Sequence, residues 1–220
     1  MATKPKKEIL QTREPADLPR LDALSALTVD ALVAGLALED ALAEGLDISA
    51  RKISAFRAKC SLFREVSFAN CEIGSIRLRD VRFEKCDFSN SILRGFEATR
   101  VEFIDCRLIG MRAIECCWNS VLMENCEARY IQLNDGQARI CEFRGSNLAE
   151  CDLRNTDLEG TIFSQTLLHR ADLTGAKLRG VDLRDAEIEG IAVRAEDLRG
   201  AIVNAAQAMD LARLLGVVIK

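Results

Sequence analysis

The chain has 220 residues, of which 49% are apolar and 29% charged, and a net charge of −4. That balance excludes a disordered chain, and so mild a charge argues against a general nucleic-acid binder. Nine cysteines occur with no Cys-x-x-Cys spacing, so no metal site or cofactor is expected and reduced thiols are.

Residues 1–20 hold all three prolines, Pro5, Pro15 and Pro19, with the basic cluster Lys4, Lys6 and Lys7. They read as a flexible tail. No apolar stretch of signal-peptide length comes after Met1–Lys7, and none is long enough to span a bilayer. A cytoplasmic location without membrane contact is therefore expected. Residues 21–45 are rich in Ala and Leu and stop at Gly45. They are predicted as one or two helices that cap the repetitive region beginning at residue 46.

From residue 46 to residue 203 the chain keeps a period of five. All 32 positions ending in 3 or 8, from Ile48 to Val203, are apolar. Two residues earlier, positions ending in 1 or 6 are mostly small or β-branched, as in Val66, Cys71, Val81, Cys86 and Ser91. Neither the 3.6-residue period of a helix nor the two-residue period of a strand fits. A period of five needs a corner every five residues with two of the five pointing inward. Four corners close a coil of 20 residues, and about eight coils stack as parallel β-structure ~4.8 Å apart.

Side-chain volumes support the 20-residue coil. Trp118 takes an inward position, and Ala98 and Ala138 lie one coil to either side. Large residues at one inward position face small ones at the other, as in Phe56 with Ala58 and Met111 with Ala113, which is what a narrow, close-packed interior requires. Seven of the nine cysteines sit at the small inward position and read as small hydrophobes.

At the C-terminus, Asn204 is a predicted N-cap. Ala205, Ala208, Leu211, Ala212 and Leu215 lie beyond it at helical spacing, and Gly216 ends the segment. Residues 204–220 are predicted to cap the coil and to pair two chains as a homodimer through Ala208, Leu211, Leu215, Val217 and Ile219, because an apolar segment on a narrow end needs burial.

The repeats Cys151-Asp152-Leu153-Arg154-Asn155, Ala171-Asp172-Leu173-Thr174-Gly175, Ala176-Lys177-Leu178-Arg179-Gly180 and Val181-Asp182-Leu183-Arg184-Asp185 resemble the pentapeptide-repeat family. The resemblance implies an all-β solenoid, a right-handed quadrilateral parallel β-helix, and the segments read above would add α-helical caps at both ends. It also implies no catalysis. Some members of the family look like mimics of duplex DNA that bind type II topoisomerases, and others are protein-interaction modules. The stretch from Gly200 to Val217 is similar to the C-terminal helix of topoisomerase-protecting, quinolone-resistance-type members.

No nucleophile, phosphate-binding loop or metal-ligand set stands out, and the single His169 is predicted on the surface. The expected function is a non-enzymatic protein-interaction or scaffolding rod that presents charged faces to a protein partner. The alternative is a DNA-mimicking binder of DNA gyrase that gives quinolone protection. Residues 51–100 carry a charge of +5 and residues 101–200 one of −6. The candidate basic patch is Arg57, Lys59, Arg77 and Arg79. The candidate acidic residues are Asp157, Glu159, Asp182 and Glu187. The basic half argues against mimicry, since a duplex presents a negative charge every ~1.7 Å.

Overall fold

A computed structural model describes residues 12–214 and 216–218 of the chain. The backbone forms a parallel β-solenoid of about eight turns, in which each residue pairs with its counterpart one coil on. Three nine-residue strands, Phe56–Arg64, Ile76–Glu84 and Phe96–Ile104, stack in this register, so that Phe63, Phe83 and Phe103 form one column. The column continues through Met123 and Phe143 to Phe163. A second sheet joins Lys52–Ile53, Glu72–Ile73, Ile92–Arg94 and Arg112–Ile114. Single bridges extend it from Arg112 through Gln132 and Asp152 to Asp172.

The corners explain the period. Positions ending in 0 or 5 repeatedly take the left-handed region, as at Asn70 (φ 58°), Asn90 (55°), Asn125 (53°) and Asn155 (56°). Asparagine tolerates this conformation by local hydrogen bonding. Ile140 (φ 53°) and Tyr130 (60°) hold it too, although neither has that advantage, so the packing of the coil imposes the bend there.

The interior is built as the period predicts. Every position ending in 3 or 8 from Ile48 to Ile188 is buried, and Val193, Leu198 and Val203 pack against that core. Phenylalanine rings stack rung on rung, Phe63 on Phe83 at 5.0 Å, Phe83 on Phe103 at 5.1 Å and Phe68 on Phe88 at 4.5 Å. Burial of each ring contributes about 1.5–3 kcal/mol, and the offset stacks add to it.

The small inward positions do more than fill space. The Cys86, Cys106 and Cys126 thiols and the Ser146 and Thr166 hydroxyls form one column. Each donates to a backbone carbonyl 23 residues earlier, from Cys86 to Phe63 O at 3.4 Å down to Thr166 to Phe143 O at 2.8 Å. Cys, Ser and Thr are interchangeable there because each is small and carries one donor. All nine cysteines are free, and burial pushes the Cys141 and Cys151 thiols up to about 12.

The ends differ from the sequence expectation. Only Val29–Val33 of the predicted N-terminal helical region is α-helical, capped by Thr28, whose Oγ1 accepts from the Ala31 N–H. Ala37–Glu39 and Ala41–Glu44 are strands that pair with Phe56–Arg64, so the solenoid begins before residue 46. Leu38, Ala41 and Ala43 already occupy the inward register and are buried, with Asp40 and Gly45 at corners. Register won over the helical propensity of Ala and Leu. Leu32 (1% exposed) fits into the core at this end.

At the other end, helix Ala205–Leu214 closes the last coil. Asn204 and Gln207 cap it reciprocally, at 2.9 and 3.0 Å. The Gln207 amide also donates to Leu183 O (2.6 Å) and Ala186 O (2.8 Å), satisfying carbonyls on the open edge. Leu211 is 6% exposed and belongs to the core. It therefore packs on its own rod. Ala208 and Val217 are exposed, and Leu215 and Ile219 lie outside the described residues.

Candidate protein-interaction faces

Outward positions form columns along the rod, one for each place in the repeating coil. One column runs Arg57, Arg77, Glu97, Cys117, Gln137, Asp157 and Lys177. Two residues along, Lys59, Arg79, Thr99, Asn119 and Arg139 make its neighbour, and Glu159 lies one coil after Arg139. Six of the eight predicted partner-binding residues therefore share one face. Asp182 is in a different column, after Ile162, and Glu187 stands one coil beyond Leu167 on a third.

Charges on these columns are mostly paired rung to rung. Lys59 bonds Glu39, and Arg77 meets Glu97 at 3.3 Å. Arg79 lies 3.6 Å from Asp80. Asp157 accepts from both Arg139 and Lys177, and Arg179 lies 3.8 Å from Glu159. Asp182 is held by Arg184 at 2.6 Å and Glu187 by His169 Nε2 at 2.8 Å. Arg64 bridges Glu44 and Glu84, and Arg82 meets Glu102. Pairs one coil apart are thus a recurring surface device, and they shrink the charged patches that the formal sums suggest.

Two of these carboxylates are strongly held. Burial pushes Asp157 up, but hydrogen bonds from Arg139, Lys177 and the Glu159 N–H outweigh it and bring the carboxyl to about 2. The Arg194 guanidinium, against an opposing effect of burial, brings Asp197 to about 2 as well. Both folded values lie below the ordinary value of 3.8. Their stabilisation is therefore fully present above about pH 4 and is lost as pH falls toward about 2. The melting temperature should be flat from neutral pH down to about 4 and should then drop steeply. Asp157→Asn should flatten part of that drop, which a thermal melt series across pH would show.

A third set of carboxylates is not apparent from the sequence. Glu102 and Asp80 are 3% and 4% exposed although both point out of the solenoid. Residues 12–20, expected in the flexible tail, lie against them. Glu102 Oε1 accepts from Arg13 Nη1 and from the Ala16 N–H, each at 3.2 Å, and Asp80 Oδ1 accepts from the Asp17 N–H at 3.0 Å. Arg100 spans the two sides, bonding Asp80 at 2.6 Å and approaching Glu14 at 3.5 Å. Burial raises the Glu102 carboxyl, yet the Ala16 amide, Arg82 and Arg13 together hold it below its ordinary value. Residues 1–11 of the predicted tail lie outside the described residues. The sequence does carry one signal, because Leu62 and Leu122 fall at outward positions of the Glu102 column. They are only 3% and 4% exposed and stand apart from the interior core.

Among the described residues, no group of three or more His, Cys, Asp or Glu side chains could hold a metal ion. No helix among them is long and apolar enough to cross a membrane.

A parallel solenoid with this register and left-handed corners every five residues defines a pentapeptide-repeat architecture. A family model for pentapeptide repeats (8 copies) matches residues 146–185, and one for the pentapeptide repeat region matches residues 76–153. The chain belongs to the pentapeptide-repeat family. Among solved structures it is similar to trypsin-treated QnrB1, a plasmid-mediated fluoroquinolone resistance protein, at 19% identity and a TM-score of 0.47, over 89% of this chain and 96% of that one. It is also similar to HetL, involved in heterocyst differentiation regulation in the cyanobacterium Nostoc sp. strain PCC 7120, at 14% identity and a TM-score of 0.28, over 77% and 87%. The search of curated proteins found no match.

Proposed function

We propose that the chain is a non-enzymatic, cytoplasmic protein-interaction rod that presents side-specific charged faces to a protein partner. The observation that supports this most is the division of labour along the coil. Inward positions are filled by apolar side chains and leave recognition to the outward columns. A right-handed coil of square section gives those columns four flat sides. We take the rod to be a homodimer joined end to end, since Ala208, Val217 and Val218 are exposed around the C-terminal helix. Light scattering should give twice the chain mass at micromolar protein, and a monomer would refute the dimer.

The second reading, a DNA-mimicking binder of a type II topoisomerase, draws on the similarity of the C-terminal segment. Against it, Asp157, Glu159, Asp182 and Glu187 lie on three different faces, the first three each have a cationic neighbour, and Glu187 is bonded by His169. A mimic needs an acidic face that continues along the rod. The interaction reading is tested by capture from the native cytoplasm on the immobilised chain. A partner should be retained by the wild type and lost on reversal of charge at Arg57 and Arg77. Failure to retain any protein above a control surface would overturn it.

A further inference from the structure

The face around Asp80, Glu102 and Glu142 is more than a resting place for residues 12–17. Glu102 and Glu142 lie two rungs apart in one outward column, with Leu122 between them. Each buried carboxylate has a fixed partner within the solenoid, Arg82 Nε for Glu102 Oε2 at 2.8 Å and Arg100 for Asp80. Those pairs do not depend on the N-terminal segment. The segment uses the acceptor that remains, Glu102 Oε1, and shares Asp80 Oδ1 with Arg100 Nε. The solenoid thus holds a frame of carboxylate acceptors, each also paired with an arginine of the rod, beside the apolar Leu62 and Leu122. A frame of this kind suits a peptide that offers one guanidinium and two successive backbone N–H groups.

The segment in place fills this frame imperfectly. Arg13 Nη1 bonds Glu102, but Arg13 Nε is buried without a hydrogen bond, 3.6 Å from Glu142 Oε2. An arginine placed slightly differently would engage both carboxylates, and a buried donor left unpaired is costly. The occupant is therefore replaceable by a better one.

We infer that this face is a peptide-recognition groove, occupied in cis by residues 12–17, which accepts in trans an arginine-bearing, proline-broken segment of a partner protein. The inference rests on the interaction-rod reading and adds to the face of Arg57 and Arg77 a second site with its own ligand. Binding by a partner requires release of the cis segment, so the N-terminus lowers the apparent affinity in proportion to its own occupancy.

The test uses full-length chains and a fluorescein-labelled peptide with the sequence of residues 12–20, read by fluorescence anisotropy. In the Arg13→Glu chain the cis segment has lost its anchor, and saturable binding of the peptide is expected. The wild-type chain should bind at least about tenfold more weakly, because its groove is occupied. Adding Glu102→Gln to the Arg13→Glu chain should weaken binding again by about tenfold or more. A peptide carrying Arg13→Glu tests the contact without touching the rod, and should not bind. Two results would overturn the groove. One is the absence of saturable binding by the Arg13→Glu chain when its circular dichroism and melting temperature match the wild type. The other is equal binding of the two peptides. Either result alongside retention of a partner in the capture experiment would reject this groove while leaving the rod reading in place.

Discussion

Replacing Phe83 by Ala should lower the unfolding free energy by about 3–5 kcal/mol. Phe83 is fully buried, stacked between Phe63 and Phe103 and met edge-on by Phe68 (6.0 Å) and Phe88 (5.2 Å). The cost has two parts, lost transfer free energy and the cavity left behind. Collapse around that cavity is hindered, because both neighbours in the column are fixed by ladder hydrogen bonds in a strict register. The exposed Glu97→Ala should cost well under about 1 kcal/mol and serves as a control. Urea unfolding followed by circular dichroism measures both. A loss below about 1 kcal/mol for Phe83→Ala would mean that the column is not packed as described.

Ala98→Leu should cost about 1–3 kcal/mol by the opposite mechanism, overpacking. Trp118 pairs in register with Ala98 on one side and Ala138 on the other, and its indole meets Phe96 edge-on at 5.2 Å. Ala98 is 1% exposed, so added carbons have nowhere to go except into the indole. The same crowding shows on the next rung. Gly136 occupies an inward position where a Cβ would come within 2.3 Å of Cys116 Sγ. If the indole is the cause, Trp118→Leu should relieve the strain of Ala98→Leu. The double variant should then be more stable than the sum of the single losses by about 1 kcal/mol or more. Strict additivity would place the two side chains out of contact.

The interior is legible in the sequence because its rule is repetitive. One apolar class held in register from Ile48 to Val203 specifies the coil, and volume trades such as Trp118 against Ala98 specify its length. The N-terminal boundary is not legible, since Leu38, Ala41 and Ala43 suit a helix as well as an inward column. The docked segment is illegible for a different reason. Prolines and charges in residues 12–20 read as solvated chain, and the carboxylates that hold them are ordinary outward residues until the register brings Asp80, Glu102 and Glu142 together. Charge sums mislead in the same way, because a cation and an anion one coil apart in sequence are neighbours in space.

That pairing bears on what the rod recognises. A basic saddle built for duplex DNA meets phosphates at regular spacing, and like charge at the contact discriminates against a partner. Here the face with Asp157 and Glu159 also presents Arg57, Lys59, Arg77 and Arg79. The most direct measurement is a gyrase supercoiling assay in the presence of a fluoroquinolone, with the purified full-length chain titrated in. The account predicts no protection of supercoiling at low-micromolar protein. Protection in that range, abolished when Asp157, Asp182 and Glu187 are changed to Lys, would contradict it and establish the mimic in place of the charge-paired interaction rod.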